Sequence, residues 1–268
     1  MKVSVVIPTY NRPGLAIGLA RQIRKYDRNA QIIIVDQSKH DEEQNEISSL
    51  NIDYLKNAKV NTSIAKNVGL AQATGEIVIF FDDDVEITSE TIKAHLAEYA
   101  DSEVLGVAGR VLNDGEAVPK KTDVEAGKTN KFLTAFTNNF WSTGKQAVQF
   151  PYGCNMSFRR SVLEKLGGFD KMIPPPGWEE TDLGLRVTKL GKIIFSPEAL
   201  VYHHKTSSGG TRMDKDLWFK NYYWTYGRLL AKHVSFPENI YSLLHLSVRI
   251  IKEYPVAIFS FIRGFMSI

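Results

Sequence analysis

The chain has one cysteine, Cys154, which excludes an intrachain disulfide and any multi-cysteine zinc site. A lone thiol fits a reducing, cytoplasmic setting. No apolar run is long enough to span a bilayer. The best stretch, 254–262, contains Pro255 and is flanked by Lys252, Glu253 and Arg263. The opening MKVSVVIPTYNRP is too short in its apolar part for a secretion signal and lacks a small-residue cleavage site. No GxGxxG is present after the first apolar run, which argues against a dinucleotide Rossmann site. Gly127, Lys128 and Thr129 lack the upstream glycine of a phosphate loop, because position 122 is Thr122. The net charge of +3 over 268 residues is too small to indicate nucleic acid, and no nucleic-acid partner is expected. The excess lies in the tail, where residues 205–268 carry nine Lys/Arg against four Asp/Glu.

With 43% hydrophobic and 24% charged residues, the chain reads as folded, and its length suits one large α/β domain. Short β-branched runs at 3–7, 31–35, 52–55, 77–81 and 104–111 alternate with helical patterns at 14–25, 63–73 and 89–99. That alternation predicts a mostly parallel sheet with helices on both faces. Residues 113–148 are polar around an aromatic patch of Phe132, Phe136, Phe140 and Trp141, and predict a functional loop or inserted hairpin. A short helix at 160–166, a proline-rich loop at 173–178, a helix at 179–189 and strands near 193 and 201 follow. From 215 onward the chain reads as amphipathic helix, broken at Pro237. The expected division is a body of 1–212, with halves 1–112 and 149–205, and a helical tail of 213–268.

Chemistry concentrates where an apolar strand ends in Asp82, Asp83 and Asp84. In open α/β sheets ligands bind beyond the carboxyl ends of the strands. Three adjacent carboxylates repel one another unless a cation or hydrogen bonds neutralise them. Mg²⁺ or Mn²⁺ would use one or two of them together with phosphate oxygens; the bland alternative is a solvated acidic turn. Side-chain alternation sends Asp83 away from Asp82 and Asp84 and predicts that it matters less to a metal. Asp36 closes another strand and is either a ligand contact or a turn residue. The loop Pro8 to Arg12 faces the same rim; Tyr10 would stack on a base, and Asn11 would cap the next helix. Glu179 and Glu180 open a helix, as a general base or as charges complementing its dipole. Of His203 and His204, alternation along a strand lets only one turn inward.

In order, four blocks resemble family 2 glycosyltransferases with the GT-A fold. The first runs from Val3 to Pro13. The second runs from Ala65 through Glu76 to the DxD acids Asp82 and Asp84. The third holds Gly153 to Arg160 with Gly167 to Asp170, and the fourth Trp178 to Arg186. The resemblance spans residues 3–205 and implies an inverting transferase that moves a sugar from a UDP-, GDP- or dTDP-sugar to a hydroxyl of a glycan or lipid-linked acceptor. It implies a role in cell-surface polysaccharide synthesis and an Mn²⁺ or Mg²⁺ cofactor. Residues 1–112 would bind the nucleotide sugar and 149–205 would supply the acceptor and catalytic half. Pro8, Thr9, Asn11 and Asp36 would contact the nucleoside, with Lys66 near ribose or phosphates. Asp82, Asp84 and His203 would hold the metal, with His204 as the other candidate. Asp83 would also contact donor, Gly153 and Asn155 would line the sugar site, and Trp178 would pack on donor or acceptor. Glu180 stands where the family carries its base, usually Asp, and Glu179 stays open as its substitute. A silent sugar-nucleotide-binding module and a sugar nucleotidyltransferase are the rival readings. The basic, aromatic tail fits an anionic membrane surface, internal packing or a homodimer contact, with the chain cytoplasmic or peripheral to the membrane.

Overall fold

The apolar runs become strands because their side chains are buried on both faces of one sheet. A computed structural model describes residues 1–39, 49–175, 177–206, 209–211 and 213–268. The strands are β1 (Val3–Thr9), β2 (Gln31–Asp36), β3 (Ile52–Lys56), β4 (Ile77–Phe81), β5 (Val85–Ile87), β6 (Val104–Asn113), β7 (Lys128–Thr129), β8 (Phe136–Thr137), β9 (Gln146–Val148), β10 (Asn155–Arg159) and β11 (Lys192–His203). The main sheet runs β3-β2-β1-β4-β10-β6-β11-β5, with β9 also on β11. Strands β1 to β4 pair in parallel. β10 lies antiparallel between β4 and β6, and β11 is parallel to β6.

The two strands expected near 193 and 201 are one strand. Its register against β6 shifts between Ser196 and Leu200, where Pro197 has no N–H to give to the ladder. The polar segment 113–148 holds the small β7-β8 hairpin and then β9.

The described helices are α1 (Pro13–Tyr26), α2 (Thr62–Gln72), α3 (Thr91–Glu98), α4 (Arg160–Leu166), α5 (Glu179–Val187), α6 (Lys215–His233), α7 (Glu238–Glu253) and α8 (Ile258–Phe265), with a 3-10 turn at Pro255–Ala257. α1 buries Ala16, Leu19, Ala20 and Ile23, one stripe at helical spacing. Pro13 opens α1, where its missing N–H costs nothing. Asn11 does not cap it. The N-cap is Arg12 without a side-chain bond, and Asn11 sits at φ 58° with its N–H donated to Ser38 Oγ at 2.7 Å. In α2 the cap is Asn61, which accepts from the Ile64 N–H at 2.9 Å.

The tail folds onto the body. Leu229, Leu230, Leu246, Ile250 and Phe261 share a buried cluster with Leu133 and with Leu185 of α5. Helices α6 and α8 cross where only glycine fits: a Cβ on Gly227 would stand 2.0 Å from the Phe261 carbonyl, and one on Gly264 1.8 Å from that of Trp224. The division expected at 212 falls on a residue outside the described set, as does Pro176 of the proline-rich loop. Among the described residues, no helix is long and apolar enough to cross a membrane.

Candidate active site

The carboxyl ends of β1, β4 and β11 meet, and their register decides which side chains face one another. His203 pairs with Val85 on β5 and with Asn113 on β6, which sets it beside the acids that follow β4. Its Nε2 lies 3.3 Å from Asp84 Oδ1, while its Nδ1 is 3.0 Å from Asn113 Oδ1. The Asn113 amide nitrogen donates to Glu116 at 2.8 Å, so the Asn113 oxygen must face the histidine. Nδ1 is therefore the N–H donor, and in the neutral imidazole the Nε2 lone pair points at the acids. Asp84 Oδ1 is buried without a hydrogen bond. A lone pair and an unsatisfied carboxylate oxygen facing each other fit a bound cation. Burial would raise Asp84, but the Nε2–H and charge of the protonated form of His203, together with the Arg12 guanidinium, hold it down at about 2.

Asp82, His203 and the Cys154 thiol each bring one donor atom within 4.8 Å of the others. That grouping omits Asp84, whereas the orphaned oxygen includes it. We weigh Asp84 above Cys154, because hard cations prefer oxygen and burial pushes the thiol up, keeping it protonated. Burial also raises Asp82, against the opposing charges of Lys66 and His203. His204 turns outward to Asp114 and Glu86, so His203 is the inward histidine of the pair.

Asp83 turns to the loop after β1. It accepts from Thr9 Oγ1 at 2.6 Å and from Arg12 Nε at 3.0 Å, and Arg12 Nη2 reaches its second oxygen at 2.6 Å. Arg12 also meets Asp84 at 3.0 Å. Asp83 thus ties the loop after β1 to the acidic turn, a structural part that alternation along the strand did not reveal. Burial raises it to about 6 against the pull of Arg12.

On the other wall stand the residues that open α5. Lys66 Nζ, only 1% exposed, meets Glu179 Oε1 at 2.8 Å and donates to the Gly153 carbonyl at 3.2 Å. Glu179 is therefore spent on a buried ion pair. Both glutamates border the same cavity, but Glu180 is only half-buried, and burial together with the Glu179 charge pushes it up to about 8. Before them Trp178 holds φ 74°, unfavourable for a bulky residue. Its ring packs against Phe136, Tyr222 and Tyr226, which hold it there.

These groups border a cavity of about 250 Å³ whose walls include Thr9, Tyr10, Lys66, Asp82, Asp83 and His203. Glu180 and Tyr152 line it and also a neighbouring cavity of about 200 Å³ walled by Phe136, Phe150 and Trp178. Pro8 and Gly153 border the first cavity, and Trp178 only the second.

Two expected contacts are committed elsewhere. Asp36 has no exposure; it accepts from Ser38, from Tyr54 Oη at 2.7 Å and from Lys56 at 2.9 Å. Asn155 is likewise enclosed, donating to the Arg110 and Ala199 carbonyls and facing His95 Nε2 at 2.8 Å. With their hydrogen-bonding atoms used, both shape the walls from behind. Arg12, Asn113 and Tyr152 were missed. The only available signal was that Arg12 is the lone cation in the loop facing three acids.

Comparison with known proteins decides the class. The Glycosyl transferase family 2 profile matches residues 4–167, more than half of the chain. The chain belongs to Glycosyl transferase family 2. Among relatives of this family 2 chain is the GalNAc(5)-diNAcBac-PP-undecaprenol beta-1,3-glucosyltransferase of Campylobacter jejuni, 29% identical over 163 residues, covering 55% of this chain and 52% of that protein. The chain spans about half or less of the length of the first curated relatives it matches. The fold is that of the mannosyltransferase PcManGT from Pyrobaculum calidifontis, solved with GDP-Man and Mn²⁺ (TM-score 0.60, 18% identity, covering 99% of this chain and 74% of that one). It is equally that of Staphylococcus aureus TarS 1-349 with UDP-GlcNAc (TM-score 0.63, 18% identity, 96% and 74%).

Proposed function

We propose that this family 2 chain is an inverting, metal-dependent glycosyltransferase that moves a sugar from a nucleoside-diphosphate sugar to an acceptor hydroxyl in cell-surface glycan synthesis. One observation carries the reading: Glu180 borders both cavities, and Asp82 and His203 line the first of them. A donor in the first cavity and an acceptor in the second would meet at its carboxylate. Asp82, Asp84 and His203 would hold Mn²⁺ or Mg²⁺, which when bound neutralises charge on the departing diphosphate. Thr9, Tyr10 and Asp83 would meet the nucleoside side of the donor, with Lys66 adding positive charge to the same wall. In its ionised form, reached as pH rises toward its raised pKa, Glu180 accepts the acceptor's proton as that oxygen bonds to the anomeric carbon. The bond from that carbon to the diphosphate oxygen breaks on the opposite face, which inverts the centre. The walls hold the reacting groups in line and exclude water. The relatives include a transferase whose name specifies an undecaprenol-linked substrate, which supports a lipid-linked acceptor here.

The test is thermal shift and donor turnover with UDP-, GDP- and dTDP-sugars, with Mn²⁺, Mg²⁺ or chelator. One nucleotide class should stabilise the protein only with metal and be consumed. Metal-dependent binding without any turnover, with acceptors present, would favour a silent binding module. Absence of binding to every donor would refute the reading.

A further inference from the structure

We propose that the outer face of α7 and α8 docks on an anionic lipid surface. The tail buries one side against the body and leaves the other bare. On α7, Ile240, Leu244, Val248 and Ile251 recur at helical spacing and are all exposed, Leu244 at 63% and Val248 at 67%. The buried residues of the same helix, Leu246 and Ile250, point the opposite way. On α8 and the Met266 that follows it, Phe259, Ile262 and Met266 form a second exposed stripe, with Phe259 at 74%, opposite buried Phe261 and Gly264. Both stripes thus point away from the shared interior cluster. A soluble surface rarely leaves a contiguous apolar area of this kind without a partner.

Charge selects the partner. Lys252 sits in the α7 surface groove with Tyr241, Leu244 and Val248. Lys131 lies over the Phe132 ring, which packs on Tyr241 of α7. At the other end Lys215 lies over Phe219, which stacks on Tyr254. Arg263 is exposed on α8. The acids nearby are engaged: Glu253 by Arg249 and Tyr223, and Asp216 by Tyr254. Lysines around and within an apolar face suit phospholipid, since their stems lie along apolar surface while the ammonium groups reach headgroups. A subunit interface instead disfavours lysine at its centre.

This inference is independent of the transfer chemistry, so vesicle binding and donor binding are measured separately on the full chain. The experiment is sedimentation with phosphatidylcholine vesicles, with and without phosphatidylglycerol, at low and high salt. The chain should sediment with phosphatidylglycerol vesicles and release as salt rises. Leu244→Ser with Val248→Ser should weaken partitioning by on the order of tenfold or more. Lys252→Gln with Arg263→Gln should cost roughly fivefold per charge. Donor-induced thermal shifts should stay as in the parent chain, which separates lost docking from lost folding. No sedimentation at low salt overturns the proposal, as does binding indifferent to both variant pairs. A concentration-dependent dimer in analytical ultracentrifugation, split by Leu244→Ser with Val248→Ser in a chain that ignores vesicles, also overturns it and assigns the face to a second copy.

Discussion

Replacing Lys66 by Met tests whether the wall behind the helix that carries Glu180 rests on a buried charge pair. The Nζ meets Glu179 at 2.8 Å with side-chain exposures of 1% and 4%, donates to Gly153, and lies 5.5 Å from the Phe169 ring centroid. Methionine fills nearly the same space but leaves the Glu179 carboxylate buried among Glu180 and Asp82 without its cation. Removing one partner of such a pair costs about 3–5 kcal/mol, because the remaining charge keeps its desolvation penalty. For a protein of this size that corresponds to a fall in Tm of roughly 10 °C. The assay is urea unfolding followed by tryptophan fluorescence, with the midpoint compared at unchanged slope. A double variant, Lys66→Met with Glu179→Leu, removes both charges and should recover about 2 kcal/mol or more of the loss. Yet the double variant should bind nucleotide sugar poorly, since the cavity has lost its positive wall. A single-variant loss below about 1 kcal/mol, or a double variant no more stable than the single, would refute the buried-pair reasoning.

Glu180→Gln keeps the shape of the base but cannot take a proton; turnover should fall by ~10²–10⁴-fold while calorimetric donor affinity changes little. Asp84→Ala and His203→Ala should each abolish Mn²⁺-supported nucleotide binding, and Asn113→Ala, which only orients the imidazole, should weaken Mn²⁺ about 10–100-fold by calorimetry. Asp182 is buried, but His233, Arg186 and Lys232 hold its carboxyl well below the usual range. A depressed carboxylate adds stability above its unfolded value, near ~4, and loses it as pH falls further. Asp182→Asn should therefore lower the Tm at pH 7 and flatten the acid loss below about pH 4.

The parallel half of the sheet was legible because strands buried on both faces must read as apolar runs, as β1, β2 and β4 do. The acids after β4 were legible for the same reason, since so abrupt an end to such a run is unusual. β10 was hidden by its polar Asn155 and Ser157. Their burial is tolerated only because His95, Tyr99 and the Ala199 carbonyl satisfy them, and those lie about 40–60 residues away in the chain. The surroundings of Asp36 were hidden for a related reason: Tyr54 and Lys56 reach a polar residue at a strand end only once β2 and β3 are in register. The choice between His203 and His204 needed the register of β11 against β5 and β6. Arg12 and Asp83 are 71 residues apart, and nothing local to either predicts their pairing.

The tail bears on the proposed chemistry in a physical sense, because its inner side fixes the helix that carries Glu180. Asp182, two residues after Glu180, accepts from Arg186 within α5 and from His233 at 2.9 Å, and pairs with Lys232 of α6. His233 Nδ1 is buried without a partner, so its proton sits on Nε2 and is committed to Asp182. Lys232 and Arg228 also hold Asp170, in the loop that leads from α4 to α5. One turn earlier, Tyr222 and Tyr226 grip Trp178 in its left-handed conformation. The direction in which Glu180 leaves the helix start thus depends on α6 at two points, one ionic and one aromatic. A segment that only tethered the protein to a surface would need neither. The opposite side of the tail, on α7 and α8, is apolar and cationic, so α6, which orients Glu180, is joined directly to the face proposed to meet lipid.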